Sequence, residues 1–233
     1  SVVYSVKLFT VKRGVAAIAA AVILISAAIG AVYGGMASAE AKNAPVIVID
    51  AGHGGIDAGV RGKVSGVKES DINLAIARNL CGKLTSAGFC AVMTRKSQAG
   101  LYGLPVKGFK LRDMKKRRQI IEDCGADMVI SVHQNFYSDG SRRGAQVFFK
   151  KGSESGKKLA LCMQDSLNAM ENAAKKNTPL IGDYYMLECT QSPSVIVECG
   201  FLSNAEDEKL LCDETYQTQL SSAIFAGIVQ YFT

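Results

Sequence analysis

Beyond Pro45 the apolar positions fall into short β-branched runs that alternate with stretches of helical period. Val46-Ile47-Val48-Ile49 is a continuous apolar run and predicts a buried strand. Ile72, Ala75, Ile76, Leu80 and Leu84 then recur at helical spacing, with Ser70 or Asp71 available as N-cap and Gly88 as a stop. Cys90-Ala91-Val92-Met93-Thr94 reads as the next strand, ending at Arg95, and the glycine-rich stretch 97–110 as a loop. Arg112 to Asp123 reads as a basic amphipathic helix closed by Gly125. Met128 to Val132 and Ala145 to Phe149 read as strands, and Ser155 to Ala174 as a helix. Ser194-Val195-Ile196-Val197 is a fifth strand, followed by helices near Ala205–Cys212 and Tyr216–Tyr231.

Strands alternating with helices predict an α/β fold, a three-layer sandwich around a mostly parallel, twisted sheet. In such sheets ligands sit beyond the C-terminal ends of the strands. His53, His133 and Glu198 each lie just past such an end, so residues far apart in sequence can meet on one edge.

The N-terminal pattern is different. No charge occurs from Gly14 to Ala39, and Val15 to Val32 is nearly all Ala, Val, Ile and Leu. Lys7, Lys12 and Arg13 precede this run, and Ala37-Ser38-Ala39 follows it. A basic lead, an apolar run and an A-x-A triplet are the parts of a secretory signal. The run also approaches the ~20 apolar residues that a membrane-spanning helix needs. The expected organisation is therefore a signal peptide or membrane anchor over 1–39, an N-terminal apolar helix, followed by one exported domain over 40–233. Either alternative places that domain outside the cytoplasm, secreted or membrane-anchored.

Composition narrows the class. The chain has 233 residues, 48% hydrophobic and 21% charged, which excludes a disordered or low-complexity chain. Half of the net charge of +6 sits in the N-terminal segment, so the exported part is only mildly basic. There is no basic and aromatic stripe, which argues against nucleic acid as a partner. Lys115-Lys116-Arg117-Arg118 reads as the solvated face of a helix. Seven cysteines form no C-x-x-C pair, and most are expected to be small buried hydrophobes.

Only two histidines exist, His53 and His133. Two imidazoles and one carboxylate suit a catalytic zinc ion with an open fourth position. Glu69 is the candidate third ligand, and Glu198 the candidate free carboxylate that moves a proton. Asp57 is a candidate for ordering the glycine turn around His53. Two rivals stand beside this reading. One is a thiol hydrolase using Cys199 with His133. The other is a membrane-tethered wall-binding module without catalysis.

Four segments resemble the motifs of the zinc-dependent N-acetylmuramoyl-L-alanine amidases, in family order. They are Val48-Ile49-Asp50-Ala51-Gly52-His53-Gly54-Gly55, Lys68-Glu69-Ser70-Asp71-Ile72-Asn73-Leu74, Ile130-Ser131-Val132-His133-Gln134-Asn135 and Val197-Glu198-Cys199-Gly200-Phe201-Leu202. The resemblance implies a phosphorylase/hydrolase-like fold and hydrolysis of the amide between N-acetylmuramic acid and L-alanine in peptidoglycan. It implies His53, Glu69 and His133 as Zn2+ ligands and Glu198 as the catalytic glutamate. Asn135 is a candidate substrate contact beside them. His133-Gln134-Asn135 and Gly144-Ala145-Gln146-Val147-Phe148 are similar to the germination-specific branch of spore formers. That likeness implies action on spore cortex leading to muramic δ-lactam, with a deacetylase in the same pathway and an accessory protein as a candidate partner.

Overall fold

The computed structural model describes residues 44–233, so the apolar N-terminal segment and the boundary at residue 39 lie outside the described residues. Six strands form one sheet: β1 (Val46–Ala51), β2 (Cys90–Met93), β3 (Met128–Asn135), β4 (Gln146–Phe149), β5 (Leu180–Ile181) and β6 (Ser194–Phe201). Their order is β2-β1-β3-β6-β4-β5. All pairings are parallel except β4 with β6. The mostly parallel α/β sandwich expected from the alternation is therefore the fold.

Successive strand residues face opposite sides, and this sorts the core. Ile47, Ile49, Met128, Ile130, Val195 and Val197 pack on one side. There they meet α1 (Glu69–Ser86), α3 (Glu154–Asn168) and α5 (Glu214–Phe232) through Ile76, Leu80, Leu159, Met163, Leu220 and Ile224. All of these side chains are buried completely, and each such burial contributes roughly 1.5–3 kcal/mol. Val48 and Val129 face the other side, where Ile121 of α2 (Phe109–Asp123) and Met186 of a 3-10 turn (Tyr185–Glu188) cover them. A short α4 (Ala205–Leu211) packs between β6 and α5.

Some expectations need correction. The helix after Ser155 ends at Asn168 and not at Ala174. The Asn168 side chain accepts from Asn177 N–H at 3.0 Å and donates to Asn177 O at 2.8 Å, so the returning chain crosses the helix end. No cap side chain starts α1. Its first amides are taken by the glycine loop instead, Glu69 N–H by Val60 O and Ser70 N–H by Ala58 O. All seven thiols are free, but only Cys189 and Cys199 are buried, and Cys90 and Cys212 are exposed. Cys90 sits on β2, the sheet's edge strand, which explains its access to solvent. The two-residue β5 and the 3-10 turn are too short to carry a periodic signal.

Candidate active site

β1 runs into the turn Asp50-Ala51-Gly52-His53-Gly54-Gly55, closed by Gly54 N–H on Asp57 O at 2.8 Å. His53 has φ 61°, a left-handed conformation that is unfavourable for a residue with a Cβ. Two buried arginines brace it. Arg117 donates to Ala51 O at 2.8 Å and to His53 O at 2.6 Å. Arg95 donates to Ala51 O at 2.8 Å, Gly52 O at 3.0 Å and Ser70 O at 2.8 Å. Asp50 and Asp113 each pair with Arg117 at 2.6 Å. Burial pushes the Asp50 carboxyl up, but the Arg117 charge and the Ser131 and Thr94 hydroxyls outweigh it and hold it at about 2.

The solvated-face reading of Lys115 to Arg118 therefore fails at Arg117, which is 1% exposed, and holds for its three neighbours. Asp113, one turn earlier on α2, draws the guanidinium inward. Arg95 and Asp113 were not singled out by the sequence. Their signals were the position of Arg95 at the end of β2 and the i, i+4 spacing of Asp113 with Arg117.

The turn, the start of α1 and the end of β3 bring His53, Glu69 and His133 together. One ligand atom from each lies within 4.8 Å of the others. His133 Nδ1 is 2.8 Å and His53 Nε2 3.3 Å from the same oxygen, Glu69 Oε1. Asp57 lies 2.9 Å from His53 Nδ1, which leaves Nε2 to point at Glu69. Glu69 is itself pinned: Oε2 accepts from Val60 N–H at 2.9 Å, and Oε1 from Gln134 N–H at 3.1 Å and Asn73 at 3.2 Å. Glycines make room for the group. A Cβ at Gly52 would run into the His133 ring, and one at Gly59, where φ is +67°, into the Glu69 carboxylate.

Electrostatics follow from this packing. Burial lowers the affinity of the His53 ring for a proton, yet hydrogen bonds to Asp57 and Glu69 raise its pKa to about 9. Burial likewise works against protonated His133, and the Glu69 contact outweighs it, so its pKa is raised. Glu69, pushed up by burial, is held well below the usual carboxylate range by the two rings.

Glu198 sits beside this group, in register with His133 across β3 and β6. Burial pushes its carboxyl up to about 7, with His133 pulling the other way. Its Oε2 is buried and has no hydrogen-bond partner among the described residues, a costly arrangement unless something else occupies that place. Two neutralisable imidazoles, a pinned carboxylate and an unpaired buried carboxylate oxygen fit a divalent cation with a reacting group beside it. A cavity of about 220 Å3 opens over His53 and His133, walled by Tyr184, Met186 and Ile196. Asn135 lies elsewhere, on a second cavity beyond Glu198.

Cys199 is not part of the site. It belongs to the helix-side core with Val195 and Val197, whereas Glu198 faces the opposite side. Burial also pushes its thiol far above the range in which a thiolate forms. The thiol-hydrolase rival fails on both counts.

Known proteins give the same picture. The family model for N-acetylmuramoyl-L-alanine amidase matches residues 47–230. The germination-specific N-acetylmuramoyl-L-alanine amidase of Bacillus subtilis (strain 168) is 35% identical over 193 residues, covering 81% of this chain and 80% of that protein. Among solved structures, the CwlD amidase from Clostridioides difficile, in complex with the GerS lipoprotein, superposes with a TM-score of 0.78 at 36% identity, covering 81% of this chain and 98% of that one. The catalytic domain of CwlV, an N-acetylmuramoyl-L-alanine amidase from Bacillus (Paenibacillus) polymyxa var. colistinus, does so with a TM-score of 0.69 at 27% identity, covering 81% and 98%. The chain belongs to the N-acetylmuramoyl-L-alanine amidase family.

Proposed function

We propose that this chain cleaves the amide between N-acetylmuramic acid and L-alanine in peptidoglycan with zinc held by His53, Glu69 and His133, and with Glu198 as the proton carrier. The observation that carries the assignment is the convergence of three ligand atoms within 4.8 Å next to an unpaired Glu198 oxygen. Zinc is preferred for a donor set of two imidazoles and a carboxylate, and when bound it supplies a Lewis acid that polarises the scissile carbonyl and acidifies water. Asp57 holds the His53 ring by Nδ1, and Val60, Asn73 and Gln134 hold Glu69. Glu198 takes a proton from the attacking water at Oε2 and returns it to the leaving alanine nitrogen. Its burial keeps competing water away and favours a carboxyl that exchanges protons near neutral pH.

The relatives support a reading of the biology. Likeness to a germination-specific amidase supports spore cortex as the substrate, upstream of a deacetylation that leads to muramic δ-lactam. The relative solved with a lipoprotein supports an accessory protein at this enzyme's surface. The basic lead, apolar run and A-x-A triplet of residues 1–39 support export, with the catalytic domain over 40–233 reaching the wall as a secreted or membrane-anchored protein.

Mass spectrometry of peptidoglycan fragments incubated with the protein tests the reading. Stem peptides beginning at L-alanine, lost with chelator and restored by zinc, are the expected result. Zinc-loaded protein that releases no such peptide from cortex fragments, with or without an accessory lipoprotein, overturns it.

A further inference from the structure

The second cavity, about 640 Å3, opens on the β4 side of Glu198. Its floor is Gln146 and Phe148. Gln146 is the register partner of Glu198 in the antiparallel β4–β6 pairing, so both side chains stand on one face of the sheet. In the order of the sheet stand His53, on the turn after β1, then His133 on β3, Glu198 on β6 and Gln146 on β4. The metal donors lie on one side of Glu198 and the cavity on the other.

That order fixes the direction of the substrate, given the amidase reading on which this inference rests. The scissile carbonyl belongs over the donors. The leaving nitrogen belongs at Glu198, which protonates it. The chain attached to that nitrogen, the stem peptide, then runs over β4 into the cavity.

The charges of the cavity suit that occupant. Arg143 is committed, since it pairs with Glu206 and, at 3.2 Å, with Asp207. Arg142 and Lys175 also line the cavity, and among the described residues neither has a carboxylate within ion-pair distance. Asp139 feels the Arg142 charge only from further away. The Arg142 guanidinium lies over the Tyr137 ring, 4.2 Å from its centre, which limits its freedom before any ligand arrives. On the opposite side of Glu198 the cavity is lined by Tyr184, Met186 and Ile196 together with charged groups that pair with one another: Arg117 with Asp50 and Asp113, and Lys110 with Asp57 at 3.3 Å. Stem peptides carry free carboxylates, while a glycan of N-acetylated sugars does not.

We infer that the β4 cavity is the stem-peptide subsite and that Arg142 and Lys175 bind the first free carboxylate beyond L-alanine. The enzyme then prefers stems in which that carboxyl is free over stems in which it is amidated. Arg142 is the better-placed of the two, because its stacked, planar guanidinium can meet a carboxylate with two parallel hydrogen bonds.

The test compares glycan fragments whose stems differ only in that carboxyl, acid against carboxamide, using the zinc-loaded full chain. Wild type should show about tenfold higher kcat/KM on the acid, expressed mainly in KM. Arg142→Ala combined with Lys175→Ala should bring the ratio close to one, and Arg142→Lys alone should keep only part of it, since the charge stays and the two parallel hydrogen bonds are lost. A wild-type ratio near one, or a ratio that survives the double substitution, overturns the inference. If wild type cleaves neither substrate, the amidase reading fails by itself. Calorimetry with the two free stem peptides then decides the cavity: tighter binding of the acid, lost in the double variant, supports it, and equal or absent binding overturns it.

Discussion

Arg117 and His53 are joined by a hydrogen bond of 2.6 Å, from the guanidinium of α2 to the main-chain carbonyl of the turn. One buried side chain thus couples α2, which lines the cavity over the site, to a histidine held at φ 61°. The same guanidinium binds Ala51 O, Asp50 and Asp113, so four acceptors surround it. A planar fork with five N–H groups can satisfy that geometry, and an ammonium with three cannot.

Arg117→Met is expected to cost about 3–5 kcal/mol of stability, because it leaves Asp50 and Asp113 buried without their counter-charge. Arg117→Lys keeps the charge but loses the fork, and should fall between the two. Urea denaturation of the three proteins gives the order directly. An Arg117→Met midpoint equal to wild type would mean that the turn is held without this residue.

Asp57→Asn tests the support of His53 in isolation. Asp57 accepts from Nδ1 and leaves Nε2 facing Glu69, and loss of such a partner typically weakens a metal site about 10–100-fold. Competition with a chromophoric chelator should show weaker zinc binding in the variant at unchanged folding. Equal zinc affinity would show that the turn itself, and not Asp57, orients the ring.

Much of this was legible in the sequence for physical reasons. Strands β1, β3 and β6 are buried on both faces, and so begin as apolar runs that lead to His53, His133 and Glu198, although β3 and β6 do not stop at His133 and Glu198 as expected but run on to Asn135 and Phe201. The start of α1 was less legible, since its amides are satisfied by distant loop carbonyls and not by a neighbouring side chain. Arg117 was hidden for a related cause. Its i, i+4 spacing with Asp113 is matched by that of the exposed Arg118 with Glu122, so it takes the tertiary position of Asp50, 67 residues away, to distinguish the buried cation from its solvated neighbours.

Adjacent residues of β6 should respond oppositely to modification. Glu198→Gln is expected to bind zinc and to lose turnover by a factor of about 10²–10⁴, the scale of general acid–base assistance. Cys199→Ala removes a core sulfur on the other face and should lower the thermal midpoint while leaving kcat within about twofold, since such truncations change packing and not proton transfer. Iodoacetamide should label the exposed Cys90 and Cys212 and spare activity. Loss of activity on alkylation of Cys199 would return a thiol to the mechanism.

Acid should destabilise the metal-free protein in a defined window. Asp50 is buried, and Arg117 with the Ser131 and Thr94 hydroxyls holds its carboxyl at about 2, below the ordinary 3.8. A depressed folded-state pKa stabilises the fold above the unfolded value and loses that contribution as pH falls through the folded one. The contribution is therefore whole above pH about 5 and disappears between about 4 and 2, amounting to roughly 2 kcal/mol. Asp57, also held at about 2, and Glu69 act in the same direction. Urea midpoints of chelator-treated protein should rise as pH falls from 7 to 5, because His53, His133 and Glu198 all hold protons more tightly in the fold than in the unfolded chain, and then drop steeply by pH 3. Asp50→Asn should start lower at pH 7, because Arg117 loses a counter-charge, and fall less between pH 5 and 3. A variant that falls as far as wild type would place the acid-sensitive group elsewhere.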